Sequence, residues 1–121
     1  MTAIRIAAVF GLLAVALGAL GAHGLEKTLV QNGRVDEWKT ASLYHVVHAV
    51  VMLVVALQLA NTGGVAMSPP FWLFGLGIVF FSGSLYYLCL TNAKWVWPIT
   101  PLGGLCFLAG WLYIIIRGGV R

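Results

Sequence analysis

The chain is short of charge. Asp, Glu, Lys and Arg make up only 8% of its 121 residues, and three of them are acidic. A soluble domain carries about 25% charged residues. A surface this poor in charge cannot face water, so a soluble globular protein is excluded. The seven Lys/Arg are scattered through turns and ends. That excludes the basic stripe needed to bind nucleic acid. Cysteine is scarce too. Cys89 and Cys106 both fall in apolar runs without metal-ligand spacing, and they read as packing residues. The carboxylates Glu26, Asp36 and Glu37 lie in or beside one loop, which leaves paired-carboxylate chemistry little to draw on. No HExxH, CxxC, phosphate loop or nucleophile–base arrangement occurs. The reading is a chain that is not an enzyme, with no cofactor and no metal.

What is present is hydrophobicity, at 61% of residues. Four apolar runs predict helices over about 4–22, 37–60, 70–91 and 99–117. Each is close to the roughly 20 residues that cross about 30 Å of hydrocarbon. The expected fold is therefore an all-α integral membrane protein. It is a single domain over 1–121, an antiparallel four-helix transmembrane bundle. Four spans put both termini on one side, A, and the first and third loops on the other, B. A cleaved leader is the competing reading of the first run, with Arg5 before it and small Ala19 and Ala22 near its end. Because the chain starts at Met1, a retained first helix is expected. Arg5, Arg117 and Arg121 on side A against Lys27, Arg34, Lys39 and Lys94 on side B give no orientation bias. Arg5 beside the first span resembles a signal anchor and leans the termini inside. The expected location is a bacterial inner membrane or its equivalent, with the lipid bilayer as the first partner.

The breaks between runs carry helix signals. Asp36 reads as an N-cap with Glu37 in the first turn. Ser68-Pro69-Pro70 and Thr100-Pro101 read as caps followed by proline. Gly24 reads as a positive-φ C-cap, with His23 in the last turn of the first helix. Trp38, Trp72, Trp95, Trp97 and Trp111 suit an aromatic belt, and WVWP at 95–98 suits an interfacial anchor. Small residues Ala7, Gly11, Ala14, Gly18 and Gly21 form one stripe. Gly75, Ser82 and Tyr86 share a face of the third helix, and Gly77 and Ser84 the opposite one. Gly11, Gly18, Gly21, Gly75, Gly83, Gly103 and Gly110 are the expected helix-packing glycines.

Intramembrane polar groups are costly in lipid and so are informative. The second helix begins EWKTASLYHVVHA. Glu37, Tyr44, His45 and His48 fall within an arc of about 100°, and Thr40 flanks it. Lys39 and Ser42 point elsewhere. At about 1.5 Å per residue, His48 lies roughly 15 Å deep. His23, Tyr86, Tyr87, Asn92 and Thr100 collect in the same side-B half, whereas the side-A loop NTGGVAMSPP is uncharged. The candidate polar cluster is His23, Glu37, Thr40, Tyr44, His45, His48, Ser82, Tyr86 and Thr100. Three readings of its histidines stay open. They fasten helices to Tyr86, Ser82 or a backbone carbonyl; they line a pocket for a lipid or quinone head group; or they ligate a metal or haem, for which the facing ligands are missing.

Four motifs resemble one known family. They are GALGAHGL at 18–25, TASLYHVVHA at 40–49, FSGSLYYLCLT at 81–91 and PITPLGGLCFLAGW at 98–111. In this order they resemble the domain of unknown function 423 family, which includes relatives of eukaryotic transmembrane protein 256. The matching residues are Gly21, His23, Gly24, Tyr44, His48, Ser82, Gly83, Ser84, Tyr86, Pro98, Thr100, Pro101, Gly103 and Gly104. The resemblance implies four transmembrane helices and no activity. The leading expectation is a non-catalytic accessory or scaffold subunit packing against a larger membrane complex, or forming a homo-oligomer. The alternative is head-group binding at the His45/His48 end. An oligomeric transporter or proton relay comes third.

Overall fold

The computed structural model describes residues 2–62 and 68–120. The middle of the uncharged linker, 63–67, lies outside the described residues, as does Arg121. The described chain runs α1 (Thr2–Ala22), α2 (Glu26–Asn32), α3 (Val35–Asn61), α4 (Pro69–Gly77), a π turn (Ile78–Ser82), α5 (Gly83–Thr91), a 3-10 turn (Lys94–Val96) and α6 (Ile99–Arg117). The segments α4, π turn and α5 are continuous, so four helices are long and apolar enough to cross a membrane. The protein is an all-α transmembrane bundle.

Its helices are not equivalent. Half of the most apolar stretch of the α4–α5 span is buried, against 11% of that in α1 and 17% of that in α6. The α3 and α4–α5 helices form the centre, α1 lies along α3, and α6 lies along α4 and the π turn. Ala49, Met52, Val55 and Ala56 of α3 meet Phe71, Phe74 and Ile78 of the third span in the main core. Ala7 joins them from α1 and Phe107 from α6.

Only some of the glycines make close approaches. A Cβ at Gly103 would collide with the backbone of Phe81 in the π turn. One at Gly110 would strike the Phe74 ring, and one at Gly77 the Phe107 ring. Gly75 leaves 3.2 Å to the Met52 methyl, and Gly21 accommodates the Trp38 indole. Gly11 and Gly18 are corrected as packing positions within the chain, because a Cβ there would meet nothing within 4 Å. Gly83 is corrected as well: its nearest neighbour is the Ile78 carbonyl of its own turn, at 3.9 Å.

The caps differ from the sequence reading. Gly24 does not take positive φ, and Leu25 N–H bonds the Leu20 carbonyl at 2.7 Å to turn the chain. The loop expected after it contains α2, which buries Leu29 and stops at Gly33 with φ 67°. Asp36 lies inside the first turn of α3, not at its cap, and Thr100 lies inside α6. Ser68 stands at the N-cap position of α4 but makes no capping bond. Trp38 does not belong to a surface belt. It is buried, and its Nε1 donates to the Leu17 carbonyl at 3.0 Å.

A polar clamp closes side B. Asn32 Nδ2 donates to the Cys89 carbonyl at 2.8 Å, which helps satisfy the free carbonyls at the end of α5. Arg34 bonds Asn92 Oδ1 at 2.9 Å and pairs with Glu37 at 2.6 Å. Asn92 itself takes the left-handed conformation that ends α5, with φ 55°. Asn32→Ala is expected to cost about 1 kcal/mol. Hydrogen exchange should then quicken over 26–35 and 88–92 and stay unchanged in the central spans. Uniform exchange in the variant would show that the clamp holds nothing.

Candidate functional site

Helix α3 carries both deep histidines, and the third span and α6 supply their partners. His45 is buried, and its Nδ1 lies 2.9 Å from the Tyr86 hydroxyl of α5. Its Nε2 turns toward the backbone of Phe10 on α1 without a well-formed hydrogen bond. Tyr86 also packs on Trp38, with ring centroids 4.6 Å apart. This histidine therefore sits where α1, α3 and α5 meet.

His48 faces a different neighbour. Its ring stacks on Phe107 of α6, centroids 3.7 Å apart and planes 11° apart. Trp111 Nε1 donates to His48 Nε2 at 3.2 Å. An indole N–H only donates, so Nε2 must be the unprotonated nitrogen. Nδ1 then carries the proton and donates to the Tyr44 carbonyl at 2.8 Å. Both nitrogens of a neutral ring are satisfied, and the tautomer is assigned by this network. Three residues along a helix rotate the direction by about 60°. That rotation is enough to send His45 toward α5 and α1 and His48 toward α6.

The other candidates scatter. Ser82 Oγ donates to the Ala41 carbonyl at 2.8 Å, tying the π turn to α3. Thr100 Oγ1 bonds Ser84 Oγ, tying α6 to α5. Tyr44 is 41% exposed, its ring against Phe81. Glu37 is held by Arg34 in the side-B clamp, Thr40 is exposed, and His23 is exposed in the turn after α1. The structure thus replaces one cluster by two separate histidine sites, and His23, Glu37 and Thr40 join neither. Trp111, Phe107 and Asn32 were missed by the sequence reading. Trp111 reads as a belt residue, Phe107 carries no signal of its own, and no spacing rule links either to His48 across about 60 residues. Among the described residues, no three His, Cys, Asp or Glu gather as a metal site would need.

The sequence matches the profile of a family described as protein of unknown function, DUF423, over residues 17–104. The chain belongs to the DUF423 family. DUF423 relatives are similar along nearly their whole length. A UPF0382 membrane protein of Staphylococcus epidermidis is 41% identical over 93% of this chain and 91% of its own. The Bacillus subtilis UPF0382 membrane protein YwdK is 41% identical over 93% and 92%. The Escherichia coli UPF0382 inner membrane protein YgdD is 40% identical over 95% and 86%. No solved structure matches. The names of these DUF423 relatives place them in membranes, and this chain, with four membrane-length helices, is a multi-pass membrane protein.

Proposed function

We propose that this DUF423 protein is a non-catalytic accessory subunit that packs beside a larger membrane protein. One observation carries the reading. The deep histidines are occupied in joining helices, His45 to Tyr86 and His48 to Trp111. What the chain presents to a neighbour is the outer surface of its two flanking helices. Leu12 of α1 and Leu108 of α6 are 69% and 66% exposed. Head-group binding at the histidines has less support, because both rings are buried and His48 has no free nitrogen.

The test uses photo-crosslinking residues placed singly at Leu12 and at Leu108 in native membranes. One discrete heteromeric product from either flank is expected, recovered again from the partner's side with a tag there. A self-crosslinked dimer would replace this reading with a homo-oligomer. A protein that stays monomeric in nanodiscs and gives no discrete product from either flank would overturn it.

A further inference from the structure

An open cleft of about 190 Å³ lies between the last turns of α1, α2 and the first turns of α3. Its walls include Gly18, Gly21, Leu29 and Trp38, with Lys39 and Ser42 on the α3 side. The cleft exists because α1 has no side chain at Gly18, where a Cβ would meet nothing within 4 Å. Glycine inside a helix costs up to about 1 kcal/mol against alanine. An unfilled glycine therefore needs a reason other than close packing. The same side of α1 continues to Gly11, also open, seven residues and about 10 Å deeper.

Two polar groups stand over this trough. Ser42 Oγ is shielded from solvent and makes no well-formed hydrogen bond. The Tyr86 hydroxyl, which meets His45, stands beside it as a weak partner. Lys39 is exposed and makes no ion pair among the described residues. Lys39 lies about 4.5 Å nearer side B than Ser42, on the same side of α3. From the interface inward the order is a cation, a hydroxyl donor and an apolar trough.

A glycerophospholipid has the complementary order: phosphate, ester carbonyl, acyl chain. We propose that this cleft seats one glycerophospholipid with an anionic head group. The Lys39 ammonium holds a phosphate oxygen, Ser42 Oγ donates to an ester carbonyl, and one acyl chain lies over Gly18 toward Gly11. The cleft adjoins the His45–Tyr86 pair through Ser42 and Trp38 and is separate from His48.

Native mass spectrometry tests it, with the purified protein in mild detergent titrated with dioleoyl phosphatidylglycerol or dioleoyl phosphatidylcholine. The wild type should retain one phosphatidylglycerol per chain in preference to phosphatidylcholine. A Cβ at Gly18 meets nothing within 4 Å, so Gly18→Leu should occupy the trough and fold normally, with an unshifted thermal midpoint. It should retain phosphatidylglycerol about tenfold more weakly, as loss of about 1.4 kcal/mol implies. Lys39→Gln should keep lipid but lose the preference for phosphatidylglycerol. Ala16→Leu, on α1 but outside the cleft, should behave as wild type. Absence of a stoichiometric lipid on the wild type, or undiminished retention by Gly18→Leu, would overturn the proposal. So would an unchanged preference in Lys39→Gln.

Discussion

Gly103→Ala should destabilise the protein more than any other single methyl group added to it. The added carbon would occupy the space of the Phe81 backbone nitrogen and Cα, not of a side chain that can swing away. Phe81 sits in the π turn, whose Gly83 N–H bonds the Ile78 carbonyl five residues back. The turn is also anchored to α3 through Ser82. Backbone held on two sides has little room to retreat, so α6 must move away from the third span. Overpacking of this kind costs up to about 3 kcal/mol. The thermal midpoint in detergent, followed by size exclusion after heating, should fall by roughly 10 °C. Gly104→Ala is the control, since its Cβ would lie 3.9 Å from the Phe81 ring, an ordinary contact. A Gly103→Ala midpoint equal to that of Gly104→Ala would refute the close approach.

His48→Leu should loosen α6 in a different way. It removes the acceptor for the Trp111 N–H and the ring stacked on Phe107. An interhelical hydrogen bond in a membrane is worth about 0.6 kcal/mol on average and about 1.7 at most. The aromatic pair adds about 0.5–1.5 kcal/mol. A total near 2 kcal/mol is expected. The double-mutant cycle with Trp111→Phe isolates the bond, and a coupling of about 0.6–1.7 kcal/mol is expected. In nitrogen-15 spectra one of the five tryptophan indoles should lie downfield and move upfield in His48→Leu. Zero coupling together with an unmoved indole signal would dissolve the Trp111–His48 link.

These two results probe the parts of the molecule that sequence reasoning handles least well. The third span shows both sides of the matter. Its small residues are spaced on two faces, and the structure finds Gly75 and Ser82 against α3, with Gly77 and Ser84 against α6. Periodicity is a property of one helix and can be counted along it. Which glycine has a neighbour is a property of two helices. Gly11, Gly18 and Gly103 look alike in the chain, yet only Gly103 has a backbone pressed against it. The π turn at Ile78–Ser82 carries no marker in the sequence; α6 meets it at Phe81 and α3 at Ser82.

The sequence by itself determined the solvent. A chain 61% apolar and 8% charged belongs in lipid, where its backbone is satisfied only as helices or a closed barrel, and apolar runs of about 20 residues select helices. Run length then set four spans, and the cost of buried polarity pointed to the side-B half as the place where side chains form bonds. Tertiary structure alone decided what those bonds are. His45 and His48 are three residues apart, and the positions of α5 and α6 send them to separate partners. The same placement leaves Gly18 open and brings Lys39 and Ser42, which sequence counting turned away from the cluster, to the edge of the cleft. Hydropathy acts along one chain segment at a time, whereas a cleft or a close approach exists only between segments.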